Sequence, residues 1–305
     1  MQEEYEFRIN EKDAKEHLHP TDGVCLSGFV RKVVALSSDP IVAKIKEIQR
    51  VFRASGEYFF LGWDVRRRYN NAELNSASTF LLKVKHVFEP CGEECGTLYD
   101  ESHACNYCGS GSEQMSDLIL DSCSLPKRGR LGIAKTIARE VVVSQGLVDL
   151  FLKNKLRGAE FRPVRKSNRS ADVVQGWYQM LVNSAPLSIA ASTRTCTELF
   201  DDLPKQSDEP DDYFDKLGWE GSWCDRNGQY ICPLGHTIGL HLLSELSVEK
   251  AEYEFDIACT KQCIGVRRGL LRPERLLVVS QRFRQLAILH GLKGMDFGIA
   301  RCEAR

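Results

Sequence analysis

The feature that most constrains this chain is a pair of cysteine turns. They read Cys91-Gly92-Glu93-Glu94-Cys95-Gly96 and Cys105-Asn106-Tyr107-Cys108-Gly109, with nine residues between the two cysteine pairs. Thiolates this close in sequence can come from one tight turn and bind Zn²⁺ tetrahedrally, and the glycine after each pair permits the positive φ such a turn often needs. The spacing predicts a zinc ribbon over residues 89–112, with Cys91, Cys95, Cys105 and Cys108 as ligands. Four thiolates fill the coordination sphere and leave no position for water, so the expected role is structural. The first pair is CxxxC and not CxxC. His86 and His103 are close enough in sequence to replace one thiolate, and the plain alternative is a set of reduced thiols in a polar loop.

A second group of candidate ligands lies further on. Cys224 precedes Cys232-Pro233-Leu234-Gly235-His236, and Cys259 and Cys263 follow. A second Zn²⁺ held by Cys224, Cys232, His236 and Cys263 is chemically reasonable, against the alternative of buried cysteines acting as small hydrophobes. Twelve cysteines in a chain that opens on an acidic stretch predict reduced thiols and metal, and with them a cytoplasmic location.

Between and beyond these clusters the chain repeats itself. Glu140 to Arg165 reads EVVVSQGLVDLFLKNKLRGAEFRPVR, and Arg275 to Arg301 reads RLLVVSQRFRQLAILHGLKGMDFGIAR. Without a gap, Ser144 meets Ser280, Gln145 meets Gln281, Gly158 meets Gly294 and Phe161 meets Phe297. Each copy predicts strand, short helix, strand: a β-branched run, a serine at the helix N-cap, and a glycine where the helix turns left-handed. The repeat predicts an α+β chain of two related halves, each with a small mixed sheet and a packed helix, the zinc ribbon being inserted in the first. The halves are expected at 1–168 and 169–305, the second carrying the candidate second metal site.

Local signals fill in the rest. Residues 1–22 are polar and predict a loose lead-in. Gly28 to Leu36 predicts a strand. Asp39-Pro40 then opens a helix with Ile41, Ile45, Ile48 and Phe52 on its buried face, and Gly56 closes it. Glu57 to Val65 and Thr79 to Val87 predict strands, and residues 118–120 a return strand. Residues 201–215 are acidic and predict a solvated loop.

Charge narrows the functions. Residues 1–168 carry 25 basic and 23 acidic side chains, so no basic domain stands out for nucleic acid. Arg66-Arg67-Arg68 predicts a solvated charge run. No apolar run approaches the roughly 20 residues that span a bilayer. In HTIGLHLLSE, His236 and His241 are five apart, where the hydrolase pattern HExxH places them four apart. GxSxG, P-loop and GxGxxG patterns are absent.

The Cys-Gly pairs Cys95-Gly96 and Cys108-Gly109, with the endings VSQGLVDLFLKNKLRGAEFRPV and VSQRFRQLAILHGLKGMDFGIA, resemble the myxobacterial double-CxxCG paralogue family and bacterial immunity-like proteins near it. The resemblance implies a bacterial cytosolic α+β protein with structural zinc and a non-enzymatic task, the binding and neutralising of a cognate toxin by occlusion. Two alternatives stand beside it. One is a zinc-ribbon nucleic-acid-binding protein. The other is a metalloenzyme with Cys232 and His236 as ligands and Glu245 as base.

Overall fold

The computed structural model describes residues 1–127, 131–167, 172–196, 199–200, 232, 234–236, 241–265 and 269–303. Mixed helix and sheet make it an α+β fold. Among the described residues no helix is long and apolar enough to cross a membrane.

The chain begins with β1 (Gln2–Asn10), α1 (Glu11–His17), β2 (Val24–Leu26), β3 (Val30–Leu36), α2 (Pro40–Ala54) and β4 (Phe60–Arg68). The strands form one antiparallel sheet in the order β2-β3-β1-β4. The expected loose lead-in is therefore an inner strand. Tyr5, Phe7 and Ile9 alternate with Glu4, Glu6 and Arg8, and this period of two sends the apolar set into a core with Ile45, Phe59 and Val65. High glutamate content hid that alternation. The start of α2 follows the sequence signals: Asp39 accepts the Ile41 N–H at 2.9 Å, and Pro40 takes the first helical position. Ser55 is the C-cap, and Gly56 turns away at φ 82°.

Glu6 makes the outer face of this sheet pH-sensitive. It is 2% exposed, yet its carboxylate meets Arg66 Nη2 at 2.5 Å, Lys32 Nζ at 2.8 Å and Arg8 Nε at 3.5 Å. Burial raises its pKa, but Lys32, Arg66 and Arg8 together lower it below the usual carboxylate value. A depressed folded pKa contributes stability that is present above the unfolded value, about 4.3. That stability is lost as pH falls through the folded value. Denaturation midpoints measured from pH 6 down to 3 should fall more steeply for the wild type than for Glu6→Gln. Equal slopes would show that the cluster contributes nothing.

The chain continues through α3 (Asn71–Ser76), β5 (Thr79–Val84), β6 (Val87–Phe88), α4 (Gly92–Cys95), β7 (Tyr99–Asp100), β8 (Glu113–Gln114), β9 (Ile119–Leu120), β10 (Ile133–Thr136) and β11 (Val141–Ser144). Next come α5 (Gln145–Lys153), β12 (Ala159–Lys166), β13 (Val173–Val182), β14 (Thr195–Cys196), β15 (His241–Leu242), β16 (Leu246–Glu249), β17 (Ile257–Ile264) and β18 (Glu274–Ser280). The described chain closes with α6 (Gln281–Leu289) and β19 (Met295–Glu303).

Two larger sheets result, ordered β6-β10-β11-β13-β12-β9 and β16-β19-β5-β18-β17. They are paired alike. β13 lies antiparallel between β11 and β12, as β5 lies between β18 and β19. β10 is antiparallel to β11, as β17 is to β18. β9 is parallel to β12, as β16 is to β19. The register agrees as well. Val143 faces Ile133 and Tyr178, and Val279 faces Ile257 and Phe80. Phe161 faces Met180, and Phe297 faces Leu82.

The repeated segments thus fold as strand, helix, strand, with Ser144 and Ser280 at the helix N-caps and Gly158 and Gly294 at φ 108° and 92°. Each segment also touches the other sheet. The Gly132 N–H donates to the Lys293 carbonyl at 2.8 Å, and the Asp256 N–H donates to the Arg157 carbonyl at 3.0 Å. Phe80, Val143, Leu147, Phe151, Met180, Val279, Phe283 and Ala287 belong to one buried cluster built from both sheets and both helices.

This pairing corrects the expected boundary at residue 168. β13 follows that point yet lies between β11 and β12, and β5 precedes it yet is the middle strand of the other sheet. Backbone hydrogen bonds in both large sheets bind strands from either side, so a cut there would strip the middle strand from each.

Candidate metal centre

The first cysteine-bearing segment hangs from one of these large sheets and the second from a separate two-stranded sheet, β14-β15. The first spans β6 to β9, and the second lies between β14 and β15. Together they supply one cluster, formed by Cys105, Cys108, Cys232 and His236, whose ligand atoms all lie within 4.8 Å of one another. The three cysteines are buried and the histidine is exposed.

Local geometry explains the first pair of ligands. The Gly109 N–H donates to the Cys105 carbonyl at 2.8 Å, and Gly109 and Gly111 both have positive φ, 73° and 100°. At Gly111 a Cβ would stand 2.9 Å from the His103 carbonyl oxygen, so this knuckle accepts only glycine without rearrangement. The second pair forms a similar turn. The Gly235 N–H donates to the Cys232 carbonyl at 2.8 Å, the Cys232 N–H donates to the His236 carbonyl at 2.8 Å, and Gly235 has φ 83°.

The distances between donors match a shared tetrahedral ion. A Zn–S bond of about 2.3 Å gives a sulfur–sulfur edge of roughly 3.8 Å. Cys105 Sγ and Cys232 Sγ are 3.9 Å apart, and His236 Nδ1 lies 3.3 Å from Cys232 Sγ and 3.5 Å from Cys108 Sγ. Burial pushes the Cys108 thiol up. Burial also opposes ionisation of Cys105, but the amide N–H groups of Cys108 and Tyr107, together with the Cys108 and His236 side chains, outweigh it and lower that thiol. Such amides face the sulfur of a zinc knuckle and support its thiolate form.

The expected grouping of ligands is corrected accordingly. Cys91 and Cys95 do not join Cys105 and Cys108. Cys91 is fully buried at the N-cap of α4, where its own N–H donates to Glu94 Oε2 at 2.8 Å. Burial pushes its thiol up to about 11. Cys95 is also raised by burial. The first glycine turn therefore closes a short helix, with Gly96 at φ 105° as its left-handed cap. Of the expected second set, Cys232 and His236 are in the cluster. Cys224 lies outside the described residues, and Cys263 lines a cavity beside the cluster together with His103, Lys261 and Arg275. The acidic stretch 201–215 also lies outside the described residues. Glu245, considered as a catalytic base, accepts from Arg301 Nε at 2.8 Å and is not among the clustered groups.

A polar network holds the first segment in place. Arg272 lies 4.0 Å above the Tyr99 ring and donates to Glu93 at 2.6 Å and to Ser112 at 2.9 Å. The Tyr99 hydroxyl donates to Glu140 at 2.6 Å, and Glu140 also accepts the Gly92 N–H at 3.1 Å. Burial and the Glu140 charge hold the Tyr99 hydroxyl well above its usual pKa, so it stays a donor.

The arginine run is paired, as a charged surface face would be. Arg66 meets Glu6, Arg67 meets Glu3 at 2.9 Å, and Arg68 meets Glu4 at 2.9 Å.

Comparison of the chain with known family models and with curated proteins finds no match.

Proposed function

We propose that this is a non-enzymatic, zinc-clipped protein of immunity type that binds and occludes a protein partner, a toxin in that reading. Its scaffold is two copies of one unit that exchange their middle strands, β5 and β13. The ion is Zn²⁺, held by Cys105 and Cys108 from the first copy and Cys232 and His236 from the second. Three sulfurs and one nitrogen complete a tetrahedral sphere, which suits a structural ion better than a catalytic one.

The observation that carries partner binding is the edge of the first sheet. Among the described residues β2 pairs only with β3, and all three of its residues are exposed. Val24 is 66% exposed, and Phe29, in the turn to β3, is 78% exposed. Apolar side chains beside an unpaired strand edge are a surface that soluble proteins otherwise protect, and they suit a protein partner.

Affinity retention from native lysate tests this, comparing the wild type with Val24→Asp/Phe29→Asp. The wild type should hold one stoichiometric protein, and the double variant should lose it by about tenfold or more while remaining folded. Retention of nucleic acid with a steep salt dependence would replace the proposal with the nucleic-acid reading.

A further inference from the structure

The three clustered cysteines differ in access. Cys108 is fully buried and Cys232 is 2% exposed, while Cys105 is 8% exposed and lines a cavity of about 640 Å³. The exposed ligand His236 lines the same cavity, with Lys261, Arg275 and Cys263. A sulfur in a partly open, cationic surround is one that oxidants reach, whereas a sealed structural thiol is inert.

The sulfurs are also placed for a second step. Cys105 Sγ lies 3.9 Å from Cys232 Sγ, although 127 residues separate the two in the chain. A disulfide requires about 2.05 Å, so the pair must close by about 2 Å. Both cysteines stand on glycine-bearing turns, and neither belongs to a helix or strand whose backbone pairing would hold it back. Cys108 is tied within its own knuckle, where its sulfur donates to Ser110 Oγ at 3.3 Å.

We propose that Cys105 and Cys232 are an oxidation site for hydroperoxides, where a disulfide replaces the ion as the tie between the two segments. The release of zinc rests on the zinc reading of the cluster, but the cross-link does not. The Cys105 thiolate attacks a peroxide oxygen. The S–O bond forms, the O–O bond breaks and hydroxide leaves, giving a sulfenic acid. The Cys232 thiolate then attacks the Cys105 sulfur. The S–S bond forms, the S–O bond breaks and a second hydroxide leaves. Two electrons pass from the sulfurs to the peroxide, and two protons turn the hydroxides into water. Of the four ligands Cys108 and His236 remain, too few for a structural zinc site. The oxidised chain loses its metal and keeps its two segments joined.

Hydrogen peroxide titrated into the zinc-loaded full-length protein tests this. Released zinc is read with a chromogenic chelator, and the disulfide is mapped by mass spectrometry of unreduced peptides. One zinc should leave each chain as one Cys105–Cys232 peptide pair forms, and dithiothreitol with added zinc should reverse both. Dimedone, which traps sulfenic acids, should mark Cys105 ahead of Cys108 and Cys232. Cys263→Ser should leave the yield of cross-link unchanged. Chain that purifies without zinc would refute the zinc reading alone, and its peptide map would still decide the cross-link. A disulfide confined to Cys105 and Cys108, one joining Cys105 to Cys263, or thiols left intact under excess peroxide would overturn the site.

Discussion

Replacing Gly158 by alanine should destabilise the protein by about 4 kcal/mol, a large fraction of the roughly 5–15 kcal/mol that holds an ordinary domain folded. Two separate costs combine. Gly158 has φ 108°, and a non-glycine residue in such a conformation costs roughly 1–3 kcal/mol. A Cβ there would also stand 1.9 Å from the Ile257 carbonyl oxygen and 2.4 Å from Ser184 Oγ. The first neighbour is backbone at the start of β17 and cannot swing aside, so relief requires the two sheets to separate. Overpacking of this kind costs roughly a further 1–3 kcal/mol. Gly294→Ala makes the reciprocal clash with the Ile133 carbonyl oxygen at 2.4 Å and should behave similarly. Gly28→Ala is the control. Its φ is 76° but nothing lies within 4 Å of the added carbon, so only the conformational cost remains, about 1 kcal/mol. Urea denaturation of the three variants checks this, and equal losses at Gly28 and Gly158 would refute the close sheet-to-sheet contact.

The second large effect concerns metal. Cys105→Ser or Cys232→Ser should abolish stoichiometric zinc. A serine hydroxyl does not ionise at neutral pH and cannot replace a thiolate. Binding to a structural zinc site is itself folding free energy, on the order of 10 kcal/mol in small zinc domains, so these variants should also lose several kcal/mol of stability in the surrounding segments. Cys91→Ser and Cys95→Ser give the contrasting result. They retain zinc, and Cys91→Ser costs only about 1–3 kcal/mol for a buried hydroxyl without a matched partner. Elemental analysis of the purified variants reads the difference. Zinc lost from Cys91→Ser and kept by Cys232→Ser would restore the four-cysteine ribbon.

The parts of the fold written in local chemistry were legible in the sequence. Asp39-Pro40 marked the start of α2, and the two Ser-to-Gly segments marked their strands and helices, because caps and left-handed glycines act over a few residues. The strand β1 was obscured because its outward face is almost entirely charged, and Glu4, Glu6 and Arg8 resemble a solvated tail until their partners on β3 and β4 are known. The middle strands were beyond reach for a different reason. Nothing local in β5 records that it will lie between strands that begin about two hundred residues later.

The candidate metal site falls between these cases. Paired cysteines with glycine indicated thiolate turns, and Cys105, Cys108, Cys232 and His236 were all recognisable as candidate ligands. Their grouping was not recognisable, because it depends on tertiary packing that brings the turn at Cys108 against the turn at Cys232. One signal did separate the two cysteine turns of the first segment. Cys91-Gly92-Glu93-Glu94 places an acid where it can cap its own helix, which Cys105-Asn106-Tyr107-Cys108 does not.

X-ray absorption at the zinc edge of the full chain is the most direct test of the account. Three sulfurs at about 2.3 Å and one imidazole nitrogen at about 2.0 Å are predicted for an ion joining Cys105, Cys108, Cys232 and His236. Four sulfurs and no nitrogen would contradict that grouping, and with it the tie between the two segments.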